Sequence, residues 1–74
     1  MENEFKVRCY HKSTLAALYF PELEESMARQ RLRRWMRKCT ELTKKLEEMG
    51  GYNVNDRIFS SAQVRLIVYY LGEP

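Results

Sequence analysis

The most regular hydrophobic pattern in the chain lies between Met27 and Cys39. Apolar residues recur there at the three- and four-residue intervals of an amphipathic helix, namely Ala28, Leu32, Trp35, Met36 and Cys39. The side opposite this stripe carries Gln30, Arg33, Arg34 and Arg37. The flanks carry Arg29, Arg31 and Lys38. The pattern predicts a helix with one side in the core and the other rich in arginine.

The sequence allows two N-terminal and two C-terminal boundaries for this helix. Ser26 would cap it, or it begins a turn earlier, with Glu22, Glu24 and Glu25 near its positive N-terminal end. Acids in that place would repel phosphate. The helix could run unbroken to Met49, but we favour a break at 39–41, because Thr40 suits the N-cap of a new helix over 41–49. Gly50-Gly51 would end that helix.

The N-terminal part reads as a strand followed by a short helix. Residues 5–10 alternate, with Phe5, Val7 and Cys9 on one side, which predicts a half-buried strand. Ser13 suits the N-cap of a helix over 14–19. Pro21 disfavours a helical conformation at Phe20 and so ends that helix.

The C-terminal part carries the clearest helix-start signal. Residues 52–59 alternate around an Asn-Asp pair and predict a small hairpin. Ser60 and Gln63 then form a capping box, with Phe59 placed to pack on Val64. The helix that follows buries Val64, Ile67, Val68 and Leu71 and ends at Gly72. Of the adjacent Tyr69 and Tyr70, we expect one at the surface.

Together the patterns predict one mainly α domain over residues 1–74, frayed at 1–4. It would have about four helices, a short N-terminal strand and a hairpin, which is a small winged helix-turn-helix-like domain. The predicted core consists of Leu15, Leu18, Leu32, Trp35, Met36, Leu46, Val64, Ile67, Val68 and Leu71.

Composition supports a folded domain with an uneven charge distribution. The 74 residues are 45% apolar and 12% aromatic, well above the composition of disordered chains. Thirteen Lys and Arg against ten Asp and Glu give a net charge of +3, yet six of the cations fall within residues 27–39, where no acid occurs. Charge is therefore concentrated where the amphipathic helix is expected.

Little in the chain indicates catalysis or metal binding. His11 is the single histidine, and no glycine-rich loop follows a strand. Cys9, His11 and Cys39 fall short of the four ligands of a structural zinc site. We expect no enzyme activity, no cofactor and no metal, with both cysteines reduced and buried.

No charged leader with an apolar core opens the chain, and no apolar run reaches membrane-spanning length, so we expect a cytoplasmic protein.

The arginine side of the predicted helix has two interpretations. An ordinary solvated face mixes charge signs, because each Glu–Lys pair one turn apart adds about 0.2–0.5 kcal/mol. Here like charges are collected, and arginine, which binds phosphate and guanine edges bidentately, predominates. This favours binding to a polyanion. The alternatives are simple solvation or docking on an acidic protein.

Four sequence motifs resemble a domain-of-unknown-function family from gut bacteria. They are the Lys-Ser-x-Leu-Ala-x-Leu-Tyr-Phe-Pro of 12–21, Leu-Arg-Arg-Trp of 32–35, Arg-x-Phe of 57–59 and Tyr-Leu-Gly-Glu-Pro of 70–74. The family has no established activity. More distantly, the order of elements is similar to winged helix-turn-helix domains of MerR-type regulators and phage excisionases. In that likeness 13–19 is the first helix, 27–38 the recognition helix and 52–59 the wing. The connector over 20–25 is longer than the usual tight turn, and Arg57 is the only cation in the wing.

We therefore expect binding to double-stranded DNA. The residues predicted to contact it are Arg29, Gln30, Arg33, Arg34, Arg37, Lys38 and Arg57. Arg29 and Gln30, near the helix start, would read bases. Arg33, Arg34 and Arg37 would meet phosphates or guanine edges, and Arg57 would reach the backbone from the hairpin. A dimer or a second protein would supply further affinity. The alternative is a non-enzymatic interaction adaptor whose basic helix docks on an acidic partner.

Overall fold

The computed structural model describes residues 5–50 and 56–74. The elements are β1 (Tyr10–His11), α1 (Lys12–Tyr19), α2 (Glu25–Lys38), α3 (Thr40–Met49), β2 (Ile58–Phe59) and α4 (Ser61–Leu71). The fold is mainly α, with four helices and a small two-stranded sheet in the described ranges, as predicted. The strands pair antiparallel, with Tyr10 opposite Phe59 and His11 opposite Ile58.

The core is shared by all four helices and β2. Its buried apolar residues are Leu15, Ala16, Phe20, Ala28, Leu32, Met36, Leu42, Leu46, Phe59, Val64 and Ile67. Each fully buried aliphatic side chain stabilises the fold by about 1.5–3 kcal/mol. Six of the ten predicted core residues are among these, and Val68 and Leu71 are partly buried against them.

The prediction that Leu18 and Trp35 are core residues was wrong. They are 44% and 39% exposed. Phe20 takes the interior position instead, because its N–H donates to the Ala16 carbonyl at 2.9 Å and its backbone leaves the helical conformation there. The ring turns inward and meets Trp35 edge-on, with centroids 4.8 Å apart.

The N-terminal strand is shorter than the predicted 5–10, overlaps it only at Tyr10 and extends to His11. Its described partner, β2, offers only two residues, so pairing is limited to Tyr10 and His11.

Cys9 is exposed and Cys39 only half-buried, both as free thiols, so the prediction of two buried cysteines was wrong. Of the hairpin predicted over 52–59, residues 52–55 lie outside the described part of the chain, and Ile58–Phe59 pairs with β1.

Helix α1 begins at Lys12, two residues before the predicted start. No side chain caps it. The backbone N–H of Lys12 donates instead to the Arg57 carbonyl at 2.8 Å, so the chain beside β2 satisfies a donor that would otherwise need a cap. Ser13 therefore lies inside the helix and not at its N-cap.

The predicted break between α2 and α3 is confirmed. Cys39 has an extended backbone, and its N–H donates to the carbonyls of Trp35 and Met36. Thr40 is the first helical residue and not the N-cap. Thr43 makes the local side-chain bond, its hydroxyl donating to the Met36 carbonyl at 3.2 Å. Helix α3 ends at Gly50, whose φ of 78° suits glycine.

Helix α4 follows its sequence signals closely. The Gln63 N–H donates to the Ser60 hydroxyl at 3.2 Å, and the Ser60 N–H donates to the Gln63 side-chain carbonyl at 2.8 Å, which confirms the capping box. Gly72 ends the helix with a φ of 88°. Tyr69 is 78% exposed, whereas Tyr70 is partly buried, as expected for adjacent residues.

Candidate nucleic-acid interface

Helix α2 carries six of the seven residues predicted to contact DNA, and the structure exposes all seven. The helix takes the earlier of its two predicted starts, with Glu25 in the first turn and Arg37 and Lys38 in the last. This charge order suits the helix dipole. Ala28, Leu32 and Met36 are its buried residues, so a narrow stripe fixes the helix and the remaining circumference faces outward.

One flank of α2 forms a wall of a groove with a volume of about 640 Å³. The opposite side of the groove is built by the start of α1 and by the chain entering β2. The lining residues are His11, Lys12, Ser13, Glu25, Arg29, Leu32, Arg33, Met36, Asp56, Arg57 and Phe59. Four cations from three separate segments thus border one depression.

The groove gathers Arg29, Arg33 and Arg57 from the predicted set. The other four predicted residues, Gln30, Arg34, Arg37 and Lys38, do not line it and lie on the outer side of α2. The predicted site is therefore divided into two parts that meet along Arg33. The part in the groove is concave, whereas the outer part is the convex surface of a helix.

Lys12 and His11 are groove residues that sequence reasoning missed. Both lie between the strand predicted over 5–10 and the helix predicted over 14–19. The Lys12 ammonium lies 5.2 Å from the centroid of the Phe59 ring. Burial lowers the pKa of Lys12 and the Arg33 charge lowers it further, while Asp56 acts in the opposite direction. The signal that could have found Lys12 is its position beside a predicted β segment that brings Arg57 near.

The acidic residues near the start of α2 do not cover its arginine side chains. Glu25 and Asp56 line the groove, whereas Glu22 and Glu24 are exposed and lie outside it. Among residues 5–50 and 56–74, no carboxylate comes within 4.0 Å of an α2 guanidinium, and the ion pair found is Lys45–Glu48. The arginine charges are thus not neutralised by direct contacts within the described chain.

Arg31 lies on the other flank of α2 and has a different role. Its guanidinium carbon is 5.7 Å from the centroid of the Phe20 ring, which in turn packs on Trp35. Arg31 therefore covers an aromatic pair, consistent with a long side chain whose stem shields apolar surface.

The described ranges, 5–50 and 56–74, lack the side-chain groups of a metal site and the long apolar helices of a membrane protein. No group of three or more His, Cys, Asp or Glu side chains there is arranged to hold a metal ion. None of the helices has the length and apolar content needed to cross a membrane.

Residues 6–74 match the family described as a domain of unknown function, DUF4248. The match spans nearly the whole chain, so the protein belongs to this family. No curated protein and no solved structure gives a significant match.

Proposed function

We propose that this protein binds double-stranded DNA by placing the outer side of α2 in the major groove. The observation that carries the proposal is the exposed row of Gln30, Arg33, Arg34 and Arg37, to which no carboxylate in the described chain is ion-paired. Fourteen residues make α2 about 21 Å long, and the major groove is wide enough, at about 12 Å, to admit a helix.

The packing around α2 suits a winged helix-turn-helix mode of binding. Helix α1 packs on α2 ahead of it in sequence, as the first helix of such a motif does, and the β1–β2 sheet borders the same flank as Arg29. In this mode Arg29 and Gln30, in the N-terminal half of α2, would read bases. Arg57 would reach the backbone from beside β2. The longer connector, 20–24, would leave α1 farther from the DNA than in tight-turn relatives of the motif.

Salt dependence of duplex binding tests the proposal. If about four phosphates are neutralised, log K falls against log salt with a slope of roughly −3.6. The triple variant R33A/R34A/R37A removes three of these contacts and should lower both the affinity and the steepness of the slope. The matched control K44A/K45A/R65A removes three exposed cations from α3 and α4 and should leave both near the wild-type values.

Absence of binding at low salt, or an equal effect of the two triple variants, would refute the proposal. An equal effect would mean that net charge matters and its placement on α2 does not. Circular dichroism of each variant checks that the fold is intact.

A protein-interaction adaptor is the second candidate, and a specific surface favours it. Met27, Arg31 and Trp35 follow one another at helical spacing on the flank of α2 away from the groove, with Met27 52% exposed. Tryptophan and arginine are the residue types enriched in interface hot spots. Capture of an acidic protein that survives nuclease treatment and is lost in the W35A variant would favour this function over DNA binding.

A further inference from the structure

We propose that Lys12 is a further DNA contact, whose ammonium binds one backbone phosphate of the duplex in the groove between α2, the start of α1 and β2. This inference rests on the proposed DNA binding and adds to it a residue of α1. It also assigns the groove to one strand of the DNA backbone, whereas the outer side of α2 faces the base edges.

The dimensions of α2 bring the groove to the DNA backbone. An α-helix with its side chains is about 10–12 Å in diameter, and the major groove of DNA is about 12 Å wide. A helix that turns its outer side to the base edges therefore has each flank beside one of the two phosphate backbones. The protein groove opens along the flank that carries Arg33, so a phosphate of the adjacent strand lies at its mouth.

The fold places Lys12 beside arginines from two other segments. Its N–H donates to the Arg57 carbonyl at 2.8 Å, which holds the start of α1 against the chain entering β2. Burial lowers the pKa of Lys12, and the Arg33 charge is close enough to lower it further, while Asp56 acts in the opposite direction. Three segments thus bring cations to one depression, an arrangement that a bound anion would stabilise.

The charge of the groove lining is unbalanced. Four cations and two carboxylates line the groove, namely Lys12, Arg29, Arg33, Arg57, Glu25 and Asp56. With His11 neutral, the lining therefore carries an excess of two positive charges. Because like charges repel, folding alone gives no reason to gather this excess. A phosphodiester brings one negative charge and oxygen atoms that accept charge-assisted hydrogen bonds, so it suits the groove.

An aromatic contact sets the position of the Lys12 side chain. Its ammonium lies 5.2 Å from the centroid of the buried Phe59 ring. The ring contacts one side of the ammonium, whose three N–H groups are spread around the nitrogen. Lys12 also lines the groove, so its ammonium can donate to a phosphate oxygen there without leaving the ring. Such a positioned side chain loses less freedom on binding than a fully solvated lysine does.

Duplex binding by the variant Lys12→Met tests the assignment. Methionine keeps an apolar stem over Phe59 and removes the charge, and the backbone hydrogen bond to Arg57 stays. The affinity for duplex DNA should fall at least about fivefold, because a hydrogen bond between charged groups is lost. The slope of log K against log salt should become less steep by up to about 0.9, the contribution of one phosphate.

Two further variants separate a phosphate contact from other effects. Lys12→Arg restores the positive charge and should return the affinity and the slope close to the wild-type values. Lys44→Met removes an exposed lysine of α3 that does not line the groove and should leave both unchanged. Wild-type binding by K12M, an equal effect of K44M, or no recovery in K12R would overturn the assignment of Lys12.

The outer side of α2 provides the comparison that separates this inference from the proposed function. If R34A/R37A weakens duplex binding and K12M does not, the assignment of Lys12 fails and the proposed function stands. If the wild-type protein does not bind the duplex at low salt, both fail.

Acetylation of the wild-type protein gives a measurement that needs no variant. A limiting amount of an amine-reactive acetylating reagent modifies accessible lysines, and mass spectrometry of the peptides locates each modification. Saturating duplex should slow the acetylation of Lys12 and leave that of Lys44 unchanged. Acetylation of Lys12 at the same rate with and without the duplex would contradict the contact.

Discussion

Helices α2 and α4 show two ways in which a small domain holds a helix in place. Seven of the fourteen residues of α2 are charged, against one of the eleven in α4. Helix α4 therefore has more apolar side chains available for packing than α2. Helix α4 begins on a capping box and presents a broad apolar side. Helix α2 has no side-chain cap and is held by a stripe of three buried residues.

This difference indicates where functional surface is available. Most side chains of α4 contribute to its stability through burial or through the cap. On α2 the structural role is confined to one narrow side and to Arg31 and Trp35, which contact Phe20, so the remaining circumference is free to meet a ligand.

The buried stripe of α2 should dominate its contribution to stability. Leu32→Ala removes a side chain that is 2% exposed and should lower the free energy of unfolding by about 2–5 kcal/mol. Urea denaturation followed by the fluorescence of Trp35, the single tryptophan, measures the change. Arg34→Ala on the same helix should change it by less than about 0.5 kcal/mol. Similar losses in both variants would contradict the division of α2 into a structural side and a free side.

The capping box should be the main local support of α4. Ser60→Ala removes the acceptor for the Gln63 N–H and should cost about 0.5–2 kcal/mol. Ser61→Ala, at the exposed first helical position, is the matched control and should be nearly neutral. If the S61A variant loses as much stability as S60A, the cap is not what supports the helix start.

Tyr19 joins α1 to the end of α4 and should make stability depend on alkaline pH. Its hydroxyl donates to the Gly72 carbonyl, and burial, with a smaller contribution from Glu73, raises the pKa of Tyr19 to about 12. The unfolded chain releases this proton near pH 10, so stability falls as the pH rises from about 10 to about 12. Tyr19→Phe should cost about 0.5–1.5 kcal/mol at neutral pH.

Thermal unfolding of wild type and Y19F across this pH window measures the effect. The variant should lose the part of the alkaline destabilisation that comes from residue 19. An identical pH dependence in both proteins would show that Tyr19 does not contribute it.

The smallest effect is expected on the outer side of α2. Arg34 and Arg37 are three residues apart and exposed, so R34A/R37A removes a like-charge repulsion of a few tenths of a kcal/mol. It also removes the favourable interaction of Arg37 with the C-terminal end of the helix dipole, which is of similar size. At low salt the variant should therefore unfold within about 4 °C of wild type. A marked loss of stability would mean that these side chains are structural, which would weaken their assignment to DNA.

Local sequence signals accounted for elements whose stabilising contacts lie nearby in the chain. The capping box at Ser60, the ends at Gly50 and Gly72 and the break at Cys39 each depend on residues within one or two turns. The stripe of α2 follows from helical periodicity alone. The N-terminal cap of α1 was misplaced because its partner, the Arg57 carbonyl, is 45 residues away.

The same distinction separates the two parts of the candidate site. The cationic composition and periodicity of α2 were sufficient to predict its exposed row of arginines. The groove was not predictable, because it forms only when α1, α2 and β2 bring Lys12, Arg33 and Arg57 to one place. Phe20 and Phe59 were missed in the core for that reason too, since their burial depends on where the chain turns.

The sequence by itself determined which segments are helical, where most of them end and which helix concentrates positive charge, because periodicity, capping and glycine conformations act over a few residues. Only the tertiary structure decided which cations lie together, which aromatic rings enter the core and that Lys12 lines the groove beside α2. These depend on packing between segments far apart in the chain, and no local pattern encodes the distance between them.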